Sequence, residues 1–161
     1  MYEEQFMARA LSLSAQALDT PGTEPFGAVV VQDGRVVGEG FNHSAANFDP
    51  TSHGEIEAIR DACKRLQRVE LAGCDLYTSC EPCALCVAAM HIVGIRRLFY
   101  AASLAQSDAA IDGLAQERHP IDVDTLRAAA GAPIGSGTMP AEQHGADAAV
   151  RILEAWAKRR G

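Results

Sequence analysis

The amino-terminal part of the chain combines one helical pattern with two strand-like runs. Apolar side chains recur at helical spacing within residues 2–18, which predicts a helix with one apolar face formed by Phe6, Ala10, Leu13 and Ala17. Pro21-Gly22 ends this helix. Two β-rich runs, near residues 26–32 and 35–41, lie on either side of Asp33-Gly34, a dipeptide typical of tight hairpin turns. The sequence therefore predicts an antiparallel hairpin after the helix.

The centre of the chain alternates between helical and strand-like patterns. The segment SHGEIEAIRDACKRLQ carries apolar residues at helical spacing, namely Ile56, Ile59, Cys63 and Leu66. The run DLYTS predicts a strand, PCALCVAAMHIV predicts an apolar helix with proline in its first turn, and RRLFYAA predicts another strand. Because strands joined by helices pair in parallel, these patterns predict an α/β protein.

The pattern weakens beyond Ala102. Residues 104–121 are expected to be mostly loop, IDVDTLRAAA a short helix, and GAPIGSGTMP a turn-rich segment before a final helix near residues 146–159. The sequence contains no recognisable internal repeat or second apolar core. We therefore expect one domain over residues 1–161.

Length and charge restrict the class of protein. A chain of 161 residues can bury roughly two-thirds of its unfolded surface in one core, so it needs no disulfide bonds. A run of about eighteen apolar residues is lacking, and the opening MYEEQFMARALSLSAQAL is acidic and amphipathic, unlike a signal peptide. The net charge of −7 argues against general affinity for nucleic acid. We therefore expect a cytoplasmic protein that binds neither membranes nor nucleic acid.

Three of the five cysteines, Cys80, Cys83 and Cys86, stand in the segment TSCEPCALCVAAM. A disulfide between two cysteines of one helical turn is geometrically poor. An iron–sulfur cluster of the bacterial ferredoxin type needs a fourth cysteine followed by proline, and Cys86 is followed by VAAM instead. Burial as a small apolar side chain is a sufficient explanation for Cys63 and Cys74. A metal site is the better hypothesis for the clustered cysteines.

A second motif, Ser52-His53-Gly54-Glu55, precedes the cysteines by about thirty residues. Ser52 and Glu55 also fit a capping box, and a single histidine is more often a surface or core residue than a metal ligand. The combination of H-x-E with a later P-C-x-x-C, however, is the signature of zinc-dependent nucleobase deaminases. Two helix starts facing one ion would supply three protein ligands and leave a fourth position for water.

These motifs resemble the cytidine-deaminase-like superfamily of zinc hydrolases, and most closely its bacterial guanine deaminase branch. The resemblance covers roughly residues 24–102 and is carried by PFGAVVVQDG, GEGFN, DPTSHGEIEAIRDAC, LYTSCEPCALCVAAM and LFYAA. Thr51-Ser52 is also similar to tRNA adenosine deaminases, and Gly54 to fungal cytosine deaminases. The resemblance implies a three-layer α/β/α sandwich around a mixed five-stranded sheet. It also implies a homodimer in which a C-terminal segment, here residues 140–161, covers the neighbouring subunit's site.

The resemblance further implies a role for each site residue. One Zn²⁺ per chain would be bound by His53, Cys83 and Cys86, and Glu55 would move protons from water to the ring and the leaving amine. The expected substrate-binding residues are Phe26, Asn42, Gly54 and Glu81, the last two through main-chain groups, with Glu142 as a candidate second acid. Cys80 is expected to pack beside the site.

The expected reaction is hydrolysis at a C–N bond of a cyclic amidine in a small heterocyclic substrate, with release of ammonia. Guanine is the first candidate substrate, and cytosine or an aminotriazine would use the same chemistry. A tRNA adenosine deaminase is a further alternative, which would need a basic surface around the pocket. A non-enzymatic zinc or iron–sulfur binding module is the alternative from a different class.

Overall fold

The computed structural model describes residues 1–112, 121–137 and 139–159, which divide into two units. The first unit, Met1–Val123, contains the β-sheet, and the second, Asp124–Gly161, is helical in its described part. None of the described helices has the length and apolar character that a membrane span requires. The predicted site residues belong to the first unit, except Glu142, which belongs to the second.

The order of elements follows the predicted order closely. The elements of the first unit are α1 (Glu4–Ala15), a short 3-10 helix (Gln16–Leu18), β1 (Glu24–Gln32), β2 (Arg35–Asn42), α2 (Ser44–Asn47), α3 (Gly54–Leu66), β3 (Asp75–Cys80), α4 (Ala84–Val93), β4 (Arg97–Ala102) and α5 (Leu104–Ala110). Helix α6 (Val123–Gly131) begins at the boundary, and α7 (Ala146–Lys158) follows in the second unit. The predicted amino-terminal helix, hairpin strands and motif-bearing helices are therefore confirmed.

The sheet is mixed, with strand order β2-β1-β3-β4. Strand β1 pairs antiparallel with both β2 and β3, and β3 pairs in parallel with β4. The predicted hairpin and the predicted parallel pairing across α4 are confirmed. Strands β2 and β3 run in the same direction on either side of β1, and β2 forms one edge of the sheet.

The expectation of a five-stranded sheet is wrong for the described residues, which form a sheet of four strands. After β4 the chain forms α5, so the prediction of loop is wrong for residues 104–110, and residues 113–120 of the predicted loop lie outside the described residues. Ser103 starts this helix with a capping box: its hydroxyl accepts a hydrogen bond from the Gln106 N–H, and the Gln106 side chain accepts one from the Ser103 N–H. The described segments beyond α5 contain helices α6 and α7, so they add no strand.

Helices cover both faces of the sheet. On one face α1 packs against the sheet through a core of Phe6, Met7, Ala10, Leu13, Val29, Val31, Phe41 and Tyr77. On the other face α3 and α4 pack on Ala28, Val30 and Leu76. Helix α3 approaches β2 closely at Gly38, where a Cβ atom would collide with the backbone of Ala58 and Ala62. The result is an α/β fold in three layers, with α3 and α4 together on one side.

Candidate metal centre and adjoining pocket

Two helix starts bring His53 and Cys83 together. His53 is the residue immediately before α3, Cys83 is the residue immediately before α4, and both have extended backbone conformations. Cys86 lies in the first turn of α4 and is buried. Because each helix start carries partial positive charge, this position favours thiolate over thiol. Residues about thirty positions apart in the sequence therefore face one another across a short gap.

The three side chains form a triangle of metal-ligand size. Nδ1 of His53 lies 3.5 Å from Sγ of Cys83 and 3.5 Å from Sγ of Cys86, and the two sulfur atoms are 3.8 Å apart. A tetrahedral zinc ion with Zn–S bonds of about 2.3 Å and Zn–N bonds of about 2.1 Å requires separations of about 3.6 Å for N–S and 3.8 Å for S–S. The ligand atoms of this group all lie within 4.8 Å of one another. The residues therefore fit a zinc ion bound by three protein atoms.

A hydrogen bond joins the two sulfur atoms of this triangle. The hydrogen bond with Cys86 lowers the pKa of Cys83 to about 3, with His53 contributing in the same direction. The same hydrogen bond and burial raise the pKa of Cys86. Metal ligation requires the thiolate form, so binding of a cation at this triangle would release the thiol protons.

The carboxylate of Glu55 is buried beside this triangle and is not part of it. Its Oε1 accepts a hydrogen bond of 3.1 Å from the hydroxyl of Thr78, and its Oε2 accepts one of 3.4 Å from Sγ of Cys86. Burial raises the pKa of Glu55. The capping-box interpretation of Glu55 is wrong, because the Ser52 N–H donates to the Asp49 carbonyl and the Ser52 hydroxyl to Glu57.

A pocket adjoins the triangle and contains most of the predicted contact residues. Its lining includes Phe26, Asn42 and Glu81, together with His53, Glu55 and Cys83. Gly54 lies where α3 meets β1, and a Cβ atom there would collide with the carbonyl oxygen of Phe26. Cys80 is buried and also lines the pocket, and burial raises the pKa of its thiol, so it is a neutral neighbour of the site.

Glu142 lies in the second unit. Its side chain is 82% exposed and accepts a hydrogen bond of 2.9 Å from Nε2 of His144. Its assignment as a second acid stays a prediction.

The pocket wall also contains three polar residues that were not predicted from the sequence, Glu24, Ser107 and Asp108. Glu24 begins strand β1, and the other two belong to α5. The capping pair Ser103 and Gln106 was the signal that could have revealed α5 as a helix. Glu24 directly precedes the motif PFGAVVVQDG, which begins at Pro25. Its proximity to Asn42 depends on the register in which β1 pairs with β2, which the sequence does not indicate locally.

The lining of the pocket is acidic. Glu24, Glu81 and Asp108 contribute carboxylates in addition to Glu55, and neither lysine nor arginine is among the described lining residues. Carboxylates accept hydrogen bonds and repel phosphate. The pocket therefore suits a ligand that is rich in N–H groups and carries no phosphate.

Comparison with known proteins extends this picture. Residues 1–102 match the family described as cytidine and deoxycytidylate deaminase zinc-binding region. A guanine deaminase of Bacillus subtilis is 43% identical over 113 residues, which are 70% of this chain and 71% of that protein. A tRNA-specific adenosine deaminase of Haemophilus influenzae is 41% identical over 103 residues, which are 63% of this chain and 59% of that protein. The X-ray structure of guanine deaminase from Bacillus subtilis has a TM-score of 0.81 at 35% identity, covering 98% of this chain and 95% of that chain.

The family match spans most of the chain and includes His53, Glu55, Cys83 and Cys86. The resemblance deduced from the motifs is thereby confirmed, and so is zinc as the expected cofactor, because the family is defined by its zinc-binding region. The distances between Nδ1 of His53 and the sulfur atoms of Cys83 and Cys86 also agree with tetrahedral zinc binding. This chain belongs to the cytidine and deoxycytidylate deaminase zinc-binding family.

Proposed function

We propose that this protein is a guanine deaminase, which hydrolyses the exocyclic amino group of guanine and releases ammonia and xanthine. The observation that carries the proposal is the buried carboxylate of Glu55 beside the His53, Cys83 and Cys86 triangle, in the wall of an acidic pocket. The relationship to the Bacillus subtilis guanine deaminase, at 43% identity, supports guanine as the substrate.

His53, Cys83 and Cys86 would hold the zinc ion. When bound, zinc supplies a Lewis acid that lowers the pKa of water from about 15.7 to about 7, so that a nucleophile is available at neutral pH. Glu55 takes the proton of the attacking water, delivers it to a ring nitrogen and helps to protonate the leaving amine. Thr78 holds one oxygen of this carboxylate, which leaves the other beside the metal ligands.

The pocket residues suit recognition of a planar base. Phe26 offers an aromatic wall, and Asn42 offers an amide that can both donate and accept a hydrogen bond. Main-chain groups of Gly54 and Glu81 lie at the same end of the sheet as these side chains and are further contacts in this proposal. Guanine presents ring N–H and amino donors as well as a carbonyl acceptor, and it matches the acidic lining through its donors.

Deamination of tRNA adenosine is a second candidate, because a tRNA-specific adenosine deaminase is 41% identical over 103 residues. Binding of tRNA depends on lysine and arginine side chains that contact phosphates. The chain has a net charge of −7, and the described pocket lining contains neither residue type. Guanine is therefore the preferred substrate, and absence of salt-dependent tRNA binding is the expected result.

The proposal includes a homodimer. Apolar side chains are exposed on the outer face of α4 and on the adjoining edge strand β4, namely Leu85, Ile92, Leu98 and Tyr100. Leu98 pairs with Leu76, which belongs to the core beneath α4, so the exposed residues of β4 lie on the α4 side of the sheet. Large apolar side chains left exposed on a helix and on an edge strand are typical of an interface between subunits.

The proposal also assigns residues 140–161 to the partner's active site within a single deaminase domain. Helix α7 exposes Val150, Ile152, Leu153 and Trp156, which a partner surface would bury. A mixture of Glu55→Gln and Glu142→Ala chains tests the assignment, because a mixed dimer would combine an intact Glu55 with an intact Glu142 from its partner. Recovery of activity on mixing is expected, and a mixture as inactive as the Glu55→Gln chain alone would contradict the exchange.

We place the enzyme in the cytoplasm. All five cysteines are free thiols, which agrees with a reducing compartment.

The decisive experiment measures ammonia release from guanine, cytosine, adenine, their nucleosides and an aminotriazine, together with metal content. We expect one zinc per chain, no iron or acid-labile sulfide, and the highest kcat/KM with guanine. A higher kcat/KM with cytosine or an aminotriazine would overturn the substrate assignment. A zinc-loaded protein that releases no ammonia from any of these compounds would favour a non-enzymatic zinc module.

A further inference from the structure

The open end of the β1–β2 hairpin holds an acid–amide pair in the pocket wall. Glu24 of β1 is the register partner of Asn42 of β2. The side chains are also joined, because Nδ2 of Asn42 donates a hydrogen bond of 2.9 Å to Oε2 of Glu24. Both residues line the pocket that adjoins the metal ligands.

The amide of Asn42 has a fixed orientation. The side chain is 2% exposed, and its Oδ1 accepts a hydrogen bond of 2.8 Å from the Ser44 N–H. Rotation of the amide by half a turn would place its NH₂ group against the Ser44 N–H and its oxygen against the carboxylate of Glu24, so the reversed orientation is disfavoured. One N–H and one oxygen lone pair of the amide have no further hydrogen bond within the described residues.

The pairing of β1 with β2 is irregular at this point. Glu24 pairs with Asn42 and Gly27 pairs with Phe41, so Pro25 and Phe26 lie outside the ladder of paired residues. Phe26 lines the same pocket. One irregularity of the strand therefore places the aromatic side chain and the acid–amide pair together, as bulges beside active sites commonly do.

The second carboxylate oxygen of Glu24, Oε1, restricts which hydrogen-bonding groups a ligand can place beside it. A carboxylate has only acceptor sites, and Oε1 of Glu24 has no hydrogen-bond donor among the described residues. A free nucleobase has ring N–H groups that can donate to it. Alkylation or glycosylation of the ring nitrogen that donates to Oε1 removes its proton. The carboxylate oxygen would then have no hydrogen-bond donor in the complex, which weakens binding.

We propose that Glu24 is a specificity-determining residue, which fixes the amide of Asn42 and accepts a hydrogen bond from a ring N–H of the substrate. The site then favours a free base over the same base substituted at that nitrogen. The inference rests on the proposed deamination of a heterocycle at this site. It adds a residue that the motifs did not indicate and a reason for discrimination against bases that are substituted at the recognised ring nitrogen.

Two substitutions separate the two roles of Glu24. In Glu24→Gln an amide oxygen can still accept the hydrogen bond from Asn42, but the second acceptor is replaced by a donor. Glu24→Ala removes both interactions. Glu39→Gln is the matched control, because Glu39 lies on the same hairpin, pairs with Arg9 and lines a different groove.

The substrates are guanine and its 1-methyl, 7-methyl and 9-methyl derivatives. In the wild type we expect one derivative to be rejected far more strongly than the others. Glu24→Gln should raise KM for guanine roughly 10–100-fold with a smaller change in kcat, and should lessen discrimination against that derivative by a similar factor. Identical discrimination against all three derivatives in the wild type and Glu24→Gln would overturn the proposal, as would an equal effect of Glu39→Gln.

A second measurement follows the orientation of Asn42 without catalysis. The side-chain amide protons of Asn42, observed by NMR, should keep their chemical shifts in Glu24→Gln and shift or exchange faster in Glu24→Ala. Unchanged signals in Glu24→Ala would overturn the positioning role. If the wild type deaminates another heterocycle and not guanine, the assignment of guanine as substrate is wrong. The role of Glu24 is then tested with N-methyl derivatives of that other heterocycle.

Discussion

Thr78, in the middle of the sheet, donates a hydrogen bond of 3.1 Å to the carboxylate of Glu55 at the start of α3. Thr78 is fully buried, and Glu55 is 5% exposed. Thr78→Val keeps the shape of the side chain and removes the donor, so it should lower kcat about tenfold and cost about 1–3 kcal/mol in the free energy of unfolding. Thr78→Ser keeps the hydroxyl and is the control. Steady-state kinetics that show equal kcat for Thr78→Val and the wild type would contradict a positioning role for Thr78.

Replacement of Glu55 by Gln should separate metal binding from catalysis. The carboxylate is outside the group of metal ligands, so the variant should keep one zinc per chain. Loss of proton transfer should lower kcat by about 10²–10⁴-fold. Metal analysis and ammonia release measured on the same preparation test both expectations, and an active variant would refute the proton-transfer role.

Replacement of Cys83 or Cys86 by Ser should remove the metal and weaken the fold. The two sulfur atoms and Nδ1 of His53 define the site, and metal binding is coupled to folding. A loss of about 2 kcal/mol would lower Tm by about 4–8 °C. Cys63→Ala is the control because Cys63 lies outside the triangle. Full zinc content in either serine variant would contradict the assignment.

The ion pairs of Asp75 should make the free energy of unfolding depend on pH. Arg96 and Arg97 each donate two hydrogen bonds to its carboxylate. Burial alone would raise the pKa of Asp75, but these hydrogen bonds outweigh burial and lower it below the usual value of 3.8. The carboxylate therefore stabilises the folded chain above that value, and this stabilisation is lost as the pH falls through the lowered pKa.

Asp75→Asn should accordingly cost about 1–2 kcal/mol at neutral pH, because both arginine side chains are partly exposed to solvent. The difference from the wild type should narrow as the pH falls below 3.8. Urea unfolding across the pH range measures this. Arg65→Gln, which removes the exposed pair of Arg65 with Asp61, should change stability by less than about 0.5 kcal/mol.

Gly38 should not tolerate a side chain. A Cβ atom at this position of β2 would overlap backbone atoms of Ala58 and Ala62 in α3. Gly38→Ala should therefore push α3 away from the sheet and cost about 1–3 kcal/mol. Gly131→Ala is the control, because a Cβ at Gly131 meets no atom within 4 Å. Equal midpoints of urea unfolding for the two variants would contradict the close packing of α3.

The sequence predicted the elements whose signals are local. Asp33-Gly34 indicated the hairpin, and the helical spacing of Ile56 and Ile59 indicated the buried face of α3. The H-x-E and C-x-x-C motifs indicated the side chains that form the candidate metal site, because ligand spacing within a helical turn is itself a local property.

Features that depend on long-range pairing or weak periodicity were not predictable in this way. Helix α5 buries no residue completely, so it has no apolar stripe that would mark it as a helix. Glu24 reaches Asn42 through strand register across the hairpin, which no local pattern encodes. The expectation of a fifth strand likewise came from the resemblance and not from a local pattern. In the structure α5, and not a further strand, follows β4 directly in the chain.

The irregular pairing at Pro25 and Phe26 lies on a hairpin, apart from the helix starts that carry the residues of the candidate metal site. Zinc ligands come from the starts of two helices, whereas the acid–amide pair and the aromatic wall come from the mouth of a hairpin. We therefore expect mutations at the hairpin mouth to change which heterocycle the pocket prefers without displacing His53, Cys83 or Cys86. Libraries randomised at positions 24–26 would therefore vary the pocket wall and leave both helix starts of the candidate metal site unaltered.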